Sequence, residues 1–139
     1  MSNPNHLAVP FVGKIELEIK SKGKSTKLVT EVAISEIEIF QAASYRTQKQ
    51  LSAPLVLLFE DPTEQQFTKQ DASIPIEQIL IEYGTNKVIG IFSINPKRLK
   101  GKFIQCFSGL RALIIAPLGF ASKNNLKNHA TKIIFKKRL

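Results

Sequence analysis

Few residues in this chain have the types and spacing that chemistry requires. Arg46, Asp71 and Glu77 form one set: a guanidinium holds an anionic or polar group through paired N–H donors, and carboxylates bind donors in return. Phe67 opens the stretch that carries Asp71 and Glu77 and completes this candidate ligand-binding group. Two neighbouring carboxylates can also work as acid and base, but Pro75 separates this pair and the chain alone does not set their distance. The competing reading is a structural ion pair or solvated loop charges. Cys106 and His129 are the one thiol–imidazole pair. Cys106 lies in an apolar run, where a free cysteine behaves as a small hydrophobe, and His129 follows Lys127-Asn128 in a turn. A metal site needs three or four ligands, and His6 and His129 do not supply them. Neither a P-loop nor a dinucleotide fingerprint is present, so no catalytic residue, metal or cofactor is expected.

The elements that must position these residues read mainly as strands. Gly13–Lys20 alternates, with Ile15, Leu17 and Ile19 on one side and Lys14, Glu16, Glu18 and Lys20 on the other, the pattern of a half-buried strand. Ser21–Ser25 is a turn centred on Gly23, and Lys27–Ile34 returns with Leu28, Val32 and Ile34 inward, completing a hairpin. Ser35-Glu-Ile-Glu38 is a capping box, which predicts a helix to Arg46 or Gln50 with Ile37 and Phe40 buried. Ala53–Phe59 is a short continuous apolar run whose length and proline, Pro54, favour a strand buried on both faces over a helix. From Phe67 a polar loop leads to a hairpin, Ile79–Glu82 and Val88–Ile94, turning at Gly84-Thr-Asn-Lys87. Lys102–Phe107 and Leu110–Ala116 read as a strand pair around Ser108-Gly109. Pro117–Leu126 holds turn residues and a short helical turn, and Thr131–Lys137 is a last strand with Ile133 and Phe135 inward. The fold class expected is a mainly β domain, a compact antiparallel sandwich or barrel with one helix after the second strand.

Charge is distributed unevenly. Of 139 residues, 1–82 carry 8 Lys and Arg against 11 Asp and Glu, whereas 83–139 carry 12 Lys and Arg and no Asp or Glu. A run of 57 residues without an acidic side chain implies a positive face where the C-terminal strands gather. Lys97, Arg98, Lys100, Lys102, Lys132, Lys136, Lys137 and Arg138 are the candidate anion-binding residues, with solvated surface lysines as the competing reading. Aromatics do not interleave with them as in an RNA-reading motif. A single cysteine excludes an intramolecular disulfide and fits a reducing compartment. Residues 1–12 lack the basic and apolar regions of a secretory signal and read as a flexible leader to one domain, 13–139. No apolar run reaches the ~20 residues that span a membrane, so a soluble, cytoplasmic protein without membrane insertion is expected.

Between residues 13 and 135 the order and spacing of these runs resemble the uncharacterised family called domain of unknown function 192. The family's Thr-Pro-x-Glu-Arg-x-x-Gly-Leu-Met-x-Arg helix corresponds to Ser35–Arg46, and its Gly-Met-Leu-Phe-x-Phe run to Pro54–Phe59. Its Phe-Trp-Met-Lys-Asn-Thr-x-Ile-Pro-Leu-Asp motif falls on Phe67–Glu77, and its Leu-Glu-x-Pro-x-Gly signature on Ile114–Gly119. The strongest matches are Ile74-Pro-Ile-Glu77 with the hairpin after it, and Ala116-Pro-Leu-Gly119. Arg46 is kept, but Ile39 stands where the family tends to carry its other arginine, Lys69-Gln-Asp-Ala72 replaces Met-Lys-Asn-Thr, and Ile115 replaces the late Glu. The resemblance implies a shared apolar frame with a remodelled pocket, and no reaction, because the family has none established.

These readings point to a non-catalytic binding or accessory domain with a small pocket near residues 67–77, as monomer or weak homodimer. The alternatives are an anion- or nucleic-acid-binding module built on the basic half, and an enzyme whose site carries no recognised motif.

Overall fold

The structure, a computed structural model, describes residues 13–34, 53–61, 65–68, 75–95 and 104–138, with 65–68, 104–107 and Arg138 described by their backbone alone. The alternation of the first apolar run becomes alternation of burial: Ile15, Leu17 and Ile19 are buried along strand β1 (Gly13–Ser21). Strand β2 (Lys24–Ala33) pairs with it antiparallel, with Ser21 opposite Lys24, so the turn shrinks to Lys22-Gly23. Both residues have positive φ, 50° and 78°, the backbone whose twist matches a two-residue hairpin.

Among the described residues the remaining elements are β3 (Leu55–Leu58), β4 (Gln65–Thr68), β5 (Ile76–Glu82), β6 (Val88–Ile94), β7 (Ile104–Phe107), β8 (Leu110–Pro117), a single helical turn α1 (Phe120–Lys123) and β9 (Lys132–Arg138). Seven strands form one mixed sheet in the order β6-β5-β8-β3-β2-β1-β9, and β4 and β7 form a separate pair.

Three expectations are corrected. The large sheet is not wholly antiparallel, because β2 and β3 run parallel, with Val32 opposite Val56. Parallel neighbours need a connection of about a dozen residues or more, and 21 residues separate Ala33 from Leu55. Next, β7 and β8 do not pair with each other. The apolar β8 is buried on both faces and takes β3 and β5 as its neighbours, whereas β7 pairs with β4. Gly109, at φ 74°, lets the chain pass from one sheet to the other. Finally, Phe67 and Thr68, expected at the start of a polar loop, end the strand Gln65–Thr68, which is held by its ladder to β7. The helix expected from Ser35 to Arg46 or Gln50 and the leader 1–12 lie outside the described residues.

The sheet curls around its larger core. Ile15, Leu17, Val32, Val56, Ile79, Ile81, Val88, Ile114 and Ile133 pack there from all seven strands, and Phe120, Ala121 and Leu126 cover one end. A smaller cluster on the opposite face joins Ala33, Leu55, Leu57, Phe59, Leu110 and Leu113, so β3 and β8 are apolar on both sides. Burying each large aliphatic side chain contributes roughly 2 kcal/mol. Curling brings the outer strands together at one corner, through a single bridge between Lys87 and Lys132. The sheet is not closed into a barrel. Among the described residues no helix is long and apolar enough to cross a membrane.

Candidate anion-binding site

The corner where the sheet edges meet gathers lysines from three parts of the chain. On β1, Lys20 lies opposite Lys132 of β9, and Lys132 in turn lies opposite Lys87, just before β6. The bridge is made by Val88 N–H to Thr131 O and Ile133 N–H to Asn86 O, both 2.9 Å. Lys87 and Lys132 are therefore a non-hydrogen-bonded pair, the kind whose Cα atoms approach to about 4.5 Å. Directly opposed like charges destabilise a sheet, so a row of Lys20, Lys132 and Lys87 runs against the packing logic of the rest of the fold.

This row lines an open cleft of about 530 Å³ together with Glu18, Ser21, Lys22, Gly23, Lys24, Ser25 and Ala130. Among the described residues Glu18 is the one acid in that lining. Its carboxylate accepts from the Ser25 hydroxyl at 2.7 Å and pairs with Lys136 at 3.3 Å and Lys20 at 3.9 Å. The Ser25 hydrogen bond, then that of Lys136, hold the Glu18 carboxyl below its usual range, against some opposing desolvation. Its negative charge is thereby directed to lysines already beside it.

A second cleft, about 270 Å³, lies against the same hairpin tip and is lined by Ile19, Ser21, Lys22, Lys24, Thr26, Asn124, Asn125 and Lys127. Its far wall is the loop between α1 and β9. Thr131, fully buried, organises that loop: its hydroxyl accepts from Lys127 N–H at 2.8 Å and lies 3.3 Å from Ser21 Oγ. Leu126 is buried beneath the loop, and His129 N–H donates to Val88 O. Among the described residues the non-glycine positions with positive φ are Lys22, Asn86, Asn125 and His129, and all four sit in the three turns that make this corner.

Of the sequence candidates, Lys132 is central to the row, Lys136 is spent on Glu18, and Lys137 is exposed on β9. Arg138 lies opposite Ile15 at the other end of β9. Lys97, Arg98, Lys100 and Lys102 lie outside the described residues, as do Arg46 and Asp71. Phe67 lies opposite Gln105 in the β4–β7 pair. Glu77 is nearly buried, and its carboxylate accepts from Gly119 N–H at 3.0 Å and Ala121 N–H at 2.9 Å. It caps the turn that enters α1, a role local spacing did not reveal. His129 is exposed; Cys106 lies opposite Gln66 on β7. Among the described residues no three His, Cys, Asp or Glu side chains are grouped to hold a metal.

Sequence reasoning missed Lys20, Lys22, Lys24, Lys87 and Lys127. The available signal was their position beside turns, in Lys20-Ser-Lys-Gly-Lys24 and Gly84-Thr-Asn-Lys87. What brings those turns together is strand order.

Neither the family models nor the curated proteins contain a match to this sequence. Two crystal structures resemble it in fold. One is a "putative transcription regulator" from Sinorhizobium meliloti 1021, 11% identical, with a TM-score of 0.65 over 89% of this chain and 95% of that chain. The other is a protein of unknown function from Novosphingobium aromaticivorans DSM 12444, 16% identical, with a TM-score of 0.65 over 96% and 98%. At these identities the likeness is one of fold, and this chain shares its architecture with both.

Proposed function

We propose that the protein is a non-catalytic binding domain whose ligand is anionic, held at the corner where β1, β9 and the β5–β6 turn meet. The observation that carries this reading is the Lys20–Lys132–Lys87 row: three lysines in register across adjacent strands, with Glu18, shared between Lys136 and Lys20, as the acid beside them. Such a row opposes folding and favours whatever anion relieves it. The described linings offer ammonium groups, hydroxyls and amides, which suit phosphate or sulfate oxygens. In this reading the curled sheet is a barrel left open along β6 and β9 and drawn together only at the binding corner.

We also propose that the chain is a divergent relative of the domain of unknown function 192 family. Supporting this, the two best-matching runs meet: Glu77, ending Ile74-Pro-Ile-Glu77, accepts from Gly119, ending Ala116-Pro-Leu-Gly119.

Calorimetric titration with pyrophosphate at low ionic strength tests the binding reading. The triple variant Lys20→Gln/Lys87→Gln/Lys132→Gln is expected to weaken binding at least about tenfold, and raising salt from about 50 to 200 mM weakens the natural protein steeply. Equal affinity in the triple variant refutes it.

A further inference from the structure

We propose that the ligand is a linear phosphate polymer lying across the β1–β2 hairpin tip, with phosphates in both clefts. This rests on the anion-binding reading and goes further by fixing the ligand's length and path. The two clefts share Ser21, Lys22 and Lys24, so their linings form one surface that folds over the tip. The Lys20–Lys132–Lys87 row stands at one end, and Lys127 with the amides of Asn124 and Asn125 at the other. The row alone spans two interstrand spacings, about 10 Å. With the tip and the second cleft added, the path exceeds what a mono- or diphosphate can reach.

The second cleft is placed before any ligand arrives. Ser21, shared by both linings, lies 3.3 Å from Thr131 between hydroxyl oxygens, and the Thr131 hydroxyl accepts from Lys127 N–H, so the backbone that carries Lys127 is tied to the hairpin tip. Among the described residues neither lining has an aromatic side chain, which leaves bases without a stacking platform. Recognition falls on the phosphates. Among the described residues Glu18 is the only carboxylate in either lining, and it lies in the first cleft alone, beside Lys136 and Lys20.

The experiment measures fluorescence anisotropy of the full chain with two labelled probes, inorganic polyphosphate and a single-stranded oligonucleotide, alongside calorimetry with pyrophosphate. Lys127→Glu is expected to weaken polymer binding about tenfold. For the oligonucleotide it lowers the log–log salt slope by about 0.7, the value for one phosphate contact on a single strand. It weakens pyrophosphate binding less than the Lys20/Lys87/Lys132 triple variant does, and Lys24→Glu, at the tip, weakens polymer binding too. Lys127 and Lys24 are exposed, and unchanged melting of both variants checks that each is folded.

If both charge reversals leave the polymers unaffected while the Lys20/Lys87/Lys132 triple variant weakens pyrophosphate, the polymer path is wrong and the anion site stands. If the triple variant changes nothing, both fail. The two probes separate the sources: similar losses with both support recognition of phosphate alone, and binding of only one names the polymer. Binding of neither overturns the inference.

Discussion

Lys132 lies between Lys20 and Lys87, so replacing it with glutamine removes two repulsive pairs while keeping a long side chain on an exposed strand position. Opposed Cβ atoms stand about 5 Å apart, and splayed side chains bring the ammonium groups to about 7 Å. Coulomb's law then gives roughly 0.6 kcal/mol per pair in bulk water and roughly 2.4 kcal/mol at an effective dielectric near 20. Exposure places the row toward the lower value, so Lys132→Gln should stabilise the fold by about 1 kcal/mol at about 0.01 M salt. For a chain of this length that raises Tm by about 3–4 °C. At about 1 M salt the Debye length falls to roughly 3 Å and the gain should nearly vanish. Thermal unfolding by circular dichroism at both salt concentrations measures it. A variant less stable than the natural protein at low salt, or a gain that survives high salt, would refute the claim that this row is an electrostatic liability. The same substitution should weaken pyrophosphate binding, so stability and affinity move in opposite directions, as expected where a fold gives up stability for a site.

Three other perturbations probe the frame. Glu77→Ala strands the Gly119 and Ala121 N–H groups near the buried end of β5; a loss of about 2–4 kcal/mol is expected in urea unfolding, with Glu77→Gln costing less because one oxygen still accepts. Ile79→Ala opens a cavity at a fully buried position of the larger core and should cost about 2–5 kcal/mol, read as a lower urea midpoint. Glu18 contributes pH dependence. Because its folded carboxyl titrates below its unfolded value, its contribution is present above the ordinary carboxylate range and is lost as pH falls through the lowered folded value. The stability difference between the natural protein and Glu18→Gln should therefore shrink on acidification; a difference that grows below neutral pH would contradict the assigned ion pairs.

Much of the frame was legible because alternation with period two has one physical meaning: a side chain on each face of a pleated strand, with one face in the core. Ile15, Leu17 and Ile19 read correctly for that reason, as did Ile133 in β9 and the two-faced burial of Leu55–Leu58. Gly23 and Gly84 marked the two hairpin turns, where positive φ is needed. The pairing of β8 was not legible from the short Ser108-Gly109 connection, which suggests a hairpin. A strand buried on both faces requires two neighbours, and they came from β3 and β5. Nor does β2 announce a parallel partner: local pattern carries burial, and partner choice depends on what else the sheet must cover.

The candidate site divides in the same way. An excess of lysine and the absence of Asp and Glu after residue 82 are properties of composition, so the order of amino acids alone dictated positive surface. It also determined that Lys20, Lys22, Lys24 and Lys87 lie at or beside turns, because glycine and asparagine positions dictate where the chain reverses. That those turns share a corner follows from the assembled sheet. β9 pairs with β1 at the sheet edge, and curling of the sheet brings it through one bridge against Lys87, aligning Lys20, Lys132 and Lys87 in a single row. Strand order and register are set by long-range burial of apolar faces, so the charges they bring together are a consequence of the core and leave no local trace in the chain.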